Sequence, residues 1–152
     1  STLAERQRVK VVMAHELAHM WFGDLVTTVS WRQLFNNEGM AEYMQYVAVD
    51  HTDPDWNLWT MTTGEGYLAT RQRALRLDLA GSNSPVIVNA TAKGDNNAIT
   101  YVKGACINRQ VHALVGTSTY REAMTDDYLS KYKLGNANVD QWIQAVADAV
   151  AA

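Results

Sequence analysis

The chain carries few covalent or conformational constraints. It has one cysteine, Cys106, in 152 residues, so no internal disulfide can form. A lone thiol tips the expected address toward a reducing compartment such as the cytoplasm. Its two prolines, Pro54 and Pro85, leave room for long helices. No stretch of 18 apolar residues runs without a charge, which excludes a transmembrane helix. A basic excess is also missing: 13 Lys and Arg stand against 16 Asp and Glu. A net charge of -3 argues against a general nucleic-acid binder. There is no internal repeat and no low-complexity segment. The first residues carry no signal-peptide pattern and begin with Ser, so a processed form or a piece of something longer is expected.

What is present fits one soluble globular domain over residues 1–152, with 47% hydrophobic and 19% charged residues. Thr2 and Glu5 have capping-box spacing, and apolar residues recur at helical spacing from Val9 to Met20. Gly23 is a plausible stop. Leu25 to Trp31 is rich in β-branched residues and reads as a short extended link. A second helix is expected from about Asn37 to Val49. Asp53-Pro54 reads as a cap opening a third helix toward Leu79, with Gly64 and Gly66 as possible breaks. Residues 81–98 read as a loop with a short strand at Val86 to Val88. A helix follows from Tyr101 to Leu114. Thr119 with Glu122, and Asn138 with Gln141, are capping-box pairs that predict two more helices, to Lys131 and Val150. The predicted fold is mainly α, an orthogonally packed helical bundle. Strand and helix patterns do not alternate, so a parallel-sheet architecture is not expected.

The chemistry lies between His15 and Glu42. His15-Glu16-Leu17-Ala18-His19 matches H-E-x-x-H, which arises by chance in roughly one chain in 200 of this length. Residues four apart share one helical face, so both imidazoles can reach one Zn²⁺. Glu16 projects beside the metal, where it can take a proton from a metal-bound water. Catalytic zinc usually has three protein ligands and one open position. Glu38 and Glu42, four apart on the next helix, are the candidates for the third ligand. Eighteen residues separate His19 from Glu38, enough for a turn, a link and a return. Glu38 is assigned as the ligand. Glu42, one turn on, is expected to accept the free N–H of a ligand histidine, His15, with Asn37 also supporting the site.

At this point the sequence resembles a family. His15 to Thr27 (HELAHMWFGDLVT), followed by Asn36 to Tyr43 (NNEGMAEY), is similar to the zinc aminopeptidases of the M1 family. These are gluzincins, whose helical subdomain resembles that of thermolysin. The resemblance puts zinc on His15, His19 and Glu38 and makes Glu16 the general base. The segment Ala98 to Ala105 (AITYVKGA) resembles the one whose tyrosine stabilises the oxyanion, which implies that role for Tyr101. It implies one Zn²⁺ per chain and a peptide substrate with a free N-terminus. The likeness extends over nearly the whole chain.

The departures are specific. Asn36 is polar where the family usually has an apolar residue, so local packing is expected to differ. Asn83-Ser84-Pro85 replaces a common Ser-His-Pro. The family's G-x-M-E-N segment, which holds the substrate's amino group, does not occur, nor does the strand-bearing subdomain that carries it. The expectation is therefore a zinc-binding helical subdomain that packs against the missing parts of a larger enzyme through an exposed apolar face. Alone it should be weakly active or inactive. The alternative readings are a thermolysin-type zinc endopeptidase and a non-catalytic helical interaction module. Trp21-Phe22-Gly23 and the tyrosine segment count against the first. The intact set of His15, Glu16, His19 and Glu38 counts against the second.

Overall fold

The structure, a computed structural model, describes residues 1–79 and 98–152. Thr2 opens helix α1 (Leu3–His19) with a capping box: its hydroxyl accepts from the Glu5 N–H, and the Glu5 carboxylate accepts from the Thr2 N–H. Strand β1 (Val26–Thr28) and a 3-10 turn (Trp31–Asn36) lead into α2 (Glu38–Thr52). A second 3-10 turn (Pro54–Trp56) precedes α3 (Tyr67–Leu79). Then come α4 (Ala98–Val115), α5 (Thr117–Glu122), a π-helical stretch (Ala123–Leu129) and α6 (Ser130–Tyr132). Strand β2 (Gly135–Ala137) and α7 (Val139–Ala151) close the chain. The fold is a mainly helical bundle, as the spacing predicts. Among the described residues no helix is long and apolar enough to cross a membrane.

The second predicted capping box is also present. Asn138 Oδ1 accepts from the Gln141 N–H and Gln141 Oε1 accepts from the Asn138 N–H, both at 2.8 Å. Losing that cap in Asn138→Ala should cost about 1 kcal/mol. The denaturant midpoint should fall with an unchanged slope. An unmoved midpoint would mean that α7 is held by packing alone.

Other boundaries differ from the sequence reading, each for a physical reason. Only Val26–Thr28 of the β-branched link is extended, and Trp31 onward winds into the 3-10 turn. β1 pairs in parallel with β2, Val26 opposite Gly135 and Thr28 opposite Ala137. Gly-Asn-Ala has little strand preference, so this small clip is set by tertiary packing. Asp53-Pro54 starts a single 3-10 turn; the helix begins at Tyr67, after the two glycines. The Thr119–Glu122 pair makes no cap, because α5 has already begun at Thr117, with Gly116 at its N-cap and Tyr120 buried in the core. α4 starts three residues earlier than expected. The predicted strand Val86 to Val88 lies outside the described residues.

Helix α2 occupies the centre, packed between α1 and α4. Met40, Ala41, Tyr43, Tyr46 and Val49 on it are almost wholly buried. They serve two cores at once. Met40 and Tyr43 join Phe35, Tyr120, Tyr128 and Trp142; Tyr46 and Val49 join Val11, Leu58 and Tyr67. Each large side chain buried this way contributes about 1.5–3 kcal/mol. The helix that begins with Glu38 is therefore the most firmly held element. α1 is held on one side only. Its Val9, Met13 and Leu17, with Trp21 beyond its end, are each more than half exposed. They line an apolar groove of about 1190 Å³ together with Met44 and Met124. A patch of this kind is characteristic of a surface that is covered by a partner.

Candidate metal centre

Three side chains from α1 and the start of α2 converge. His15 Nε2 and His19 Nε2 are 3.1 Å apart. Glu38 Oε2 stands 3.2 Å from each of them. Among the described residues this is the cluster of His, Cys, Asp and Glu able to hold a metal ion. Ligand atoms around a tetrahedral zinc at roughly 2.0–2.1 Å lie about 3.3–3.4 Å from one another. The observed triangle, with sides of 3.1–3.2 Å, comes within about 0.3 Å of that spacing.

The electrostatics favour a cation at the same point. The far nitrogens of both rings face acceptors: His19 Nδ1 is 3.1 Å from the Phe22 carbonyl oxygen, and His15 Nδ1 is 3.2 Å from Gln45 Oε1. Both Nδ1 atoms must donate there, so in the neutral rings both Nε2 lone pairs point inward. Two imidazole lone pairs and one carboxylate oxygen then converge on the same point. Glu38 bonds to His19 and raises its pKa above the ordinary value. Burial works to raise the Glu38 pKa, but His15 and His19, which donate to it when protonated, and the Tyr101 hydroxyl outweigh it and hold the carboxyl at about 2. Glu38 is thus an anion throughout the working range, as a hard ligand must be.

Local folding explains the positions. His15 and His19 lie on the last turn of α1, one above the other, with rings 4.7 Å apart and nearly perpendicular. Past His19 the chain doubles back, and Phe22 is pinned by its N–H to Ala18 O at 3.0 Å and by stacking on Tyr128. Its carbonyl is thereby aimed at His19. Gly23 follows with φ +147°, and a Cβ there would press to 2.8 Å from Asn37 Nδ2 and 3.4 Å from His19 Nδ1. Asn37 sits against that turn beside His19. Its side chain does not cap α2. The departure at Asn36 has an answer: its amide is buried and donates to the Tyr128 hydroxyl at 3.1 Å.

Tyr101 reaches the site from α4. Its ring stacks on His15, 6.1 Å away and inclined by 16°, and its hydroxyl bonds to Glu38. The approach depends on two glycines: a Cβ on Gly104 would lie 2.8 Å from Gly39 Cα. Helices α2 and α4 therefore touch backbone to backbone, one residue after Glu38 and one turn after Tyr101. Glu16 lines the adjoining cleft of about 380 Å³ with His15, Glu42, Gln45, Tyr46 and Tyr101. It is solvent-exposed and stands outside the triangle.

Five predicted site residues, His15, Glu16, His19, Glu38 and Tyr101, are therefore brought together. Glu42 is close but differently engaged. Its Oε2 is 3.6 Å from His15 Nδ1, too far for a hydrogen bond, while its Oε1 accepts from the Tyr46 hydroxyl at 3.3 Å. Burial pushes its pKa up. The nearer partner, Gln45, was missed by the sequence reading, although it lies seven residues after Glu38 and hence on the same helical face. The Phe22 carbonyl was missed because a backbone group leaves no trace in the residue types.

The family model for the peptidase family M1 domain matches residues 1–152. Aminopeptidase M1-A of Oryza sativa subsp. japonica is 40% identical over 147 residues, covering 93% of this chain and 16% of its own length. Aminopeptidase 2, mitochondrial, of Saccharomyces cerevisiae is 39% identical over 154 residues, covering 98% of this chain and 16% of its own. Aminopeptidase N of Lactobacillus delbrueckii subsp. lactis is 37% identical over 153 residues, covering 98% and 18%. The chain thus spans less than a fifth of the length of these relatives.

Proposed function

The chain belongs to peptidase family M1, and from that membership we propose that it is the zinc-bearing helical subdomain of a larger aminopeptidase, which removes N-terminal residues from peptides. The observation that carries this reading is the triangle of His15 Nε2, His19 Nε2 and Glu38 Oε2 with sides of 3.1–3.2 Å. The donor set, two imidazoles and a carboxylate, suits a catalytic zinc with an open position. The likeness of this bundle to the helical subdomain of thermolysin-type peptidases is part of the same proposal.

Zinc held by these three residues would supply Lewis acidity and bring the pKa of a bound water down to about 7. Glu16, one residue on from His15 and open to the cleft, takes the proton of the attacking water and later delivers one to the leaving amine. Tyr101, whose hydroxyl reaches Glu38 at the edge of the triangle, donates to the developing oxyanion. His15 and His19 keep their inward lone pairs because Gln45 and the Phe22 carbonyl hold the outer nitrogens. The resemblance to the family assigns recognition of the free amino group to a segment outside this chain. That task falls to the rest of the longer protein, which we place against the apolar groove beside α1. The separate chain should therefore bind zinc and turn over peptide weakly or not at all.

Metal analysis tests the reading. Protein purified without added zinc should contain about one zinc per chain by mass spectrometry, and His19→Ala should contain none. The full-length enzyme should cleave a peptide with a free N-terminus and leave its N-acetylated form intact. Absence of zinc after incubation with excess metal overturns the metal centre. Cleavage of the blocked peptide overturns the aminopeptidase assignment and favours an endopeptidase.

A further inference from the structure

We propose that Gln45 is the positioning residue for His15, fixing that ring with Nδ1–H outward through a neutral amide where a carboxylate would be the obvious partner. The inference rests on the metal-centre reading above. Two acceptors compete for His15 Nδ1: Gln45 Oε1 at 3.2 Å and Glu42 Oε2 at 3.6 Å. Only the first is within hydrogen-bond reach.

The amide orientation is set by its neighbours. Gln45 is almost wholly buried, and its amide stands beside the Glu42 carboxyl, three residues earlier on the same face of α2. Toward a carboxylate an amide presents its N–H₂, which leaves its oxygen for His15. Glu42 is meanwhile held off the ring by the Tyr46 hydroxyl, itself 2.6 Å from Thr70 Oγ1 on α3. The carboxylate is one step removed from the ligand, and the amide is interposed. The consequence is electronic as well as geometric. A carboxylate on the outer nitrogen makes an imidazole a stronger donor to its metal. A neutral amide fixes the same tautomer without adding that negative charge, so the metal is held less tightly and stays a stronger Lewis acid.

Three variants decide the matter: Gln45→Leu, Gln45→Glu and Glu42→Gln. Two readouts are used, zinc affinity by chelator competition and the His15 tautomer by ¹⁵N NMR of the metal-free chain. Gln45→Leu should weaken zinc binding about tenfold to a hundredfold and release the ring into a mixture of tautomers. Gln45→Glu should keep the Nδ1–H tautomer and tighten zinc binding several-fold. Glu42→Gln should change affinity less than Gln45→Leu does. The proposal is overturned if Gln45→Leu leaves both readouts unchanged, or if Glu42→Gln costs more than Gln45→Leu. If Gln45→Leu does not fold, Gln45→Glu decides: zinc bound no more tightly than in the native chain overturns it. If the native chain binds no zinc, the metal-centre reading falls, and the tautomer measurement still judges Gln45 by itself.

Discussion

Alanine at position 16 is expected to stop peptide hydrolysis while leaving one zinc bound per chain. The two effects separate because Glu16 lies beside the ligand triangle and not in it. Removing a general base from an otherwise intact site costs about 10²–10⁴ in rate. That is about 3–5 kcal/mol of barrier. Measured on the full-length enzyme, the loss should fall on kcat, with KM little changed. Glu16→Gln keeps the shape of the side chain and should be as inactive as Glu16→Ala. Full activity in either variant removes Glu16 from the role of base. Loss of zinc in both makes it a support for the metal instead.

The second large effect is steric. Gly104→Val should loosen the fold and the metal centre together. A Cβ at that position already meets Gly39 Cα at 2.8 Å, and its further neighbour is Phe35 Cδ2 at 3.5 Å. Neither the backbone of α2 nor a core ring can swing aside, so the helices must part. Overpacking of this kind costs about 3 kcal/mol or more, a large share of the roughly 5–15 kcal/mol that holds an ordinary domain together. Gly104→Ala is the graded control. In a helix an alanine is worth about 1 kcal/mol over glycine, so it sets a gain in propensity against the same clash. Thermal unfolding should rank native, Ala and Val in falling order. The Val protein should also lose zinc affinity, because Gly39 follows Glu38 directly and any retreat of α2 carries the ligand away. A Val variant as stable as the native chain would mean that the crossing is looser than its backbone distances.

How much of this was legible in advance depended on how local each feature is. The H-E-x-x-H spacing defines one helical face, so His15, His19 and Glu16 could be placed without knowing the fold. Both terminal helices announced themselves because a capping box is complete within four residues, as at Thr2–Glu5 and Asn138–Gln141. The Thr119–Glu122 pair has the same letters and no cap, because the preceding residues were already helical. Local grammar yields where tertiary packing has chosen an earlier start. The partner of His15 turned on 0.4 Å between two side chains one turn apart on α2, a difference that periodicity cannot resolve. The parallel pairing of β1 with β2 joins segments from opposite ends of the chain and had no signature in either.

That pairing also sets an order of events during synthesis. All three metal ligands, His15, His19 and Glu38, precede strand β2 by about a hundred residues, so they leave the ribosome well before it. Residue 26, at the exit of the zinc helix, waits for residue 135. At about 5–20 residues per second, that wait lasts roughly 5–20 s. Throughout it, the turn that follows His19 lacks the strand that pairs with β1. The nascent zinc site therefore exists as a tethered, half-supported hairpin before it becomes a rigid one. The clip of three residue pairs works as a late latch, closing only after some hundred further residues have been made.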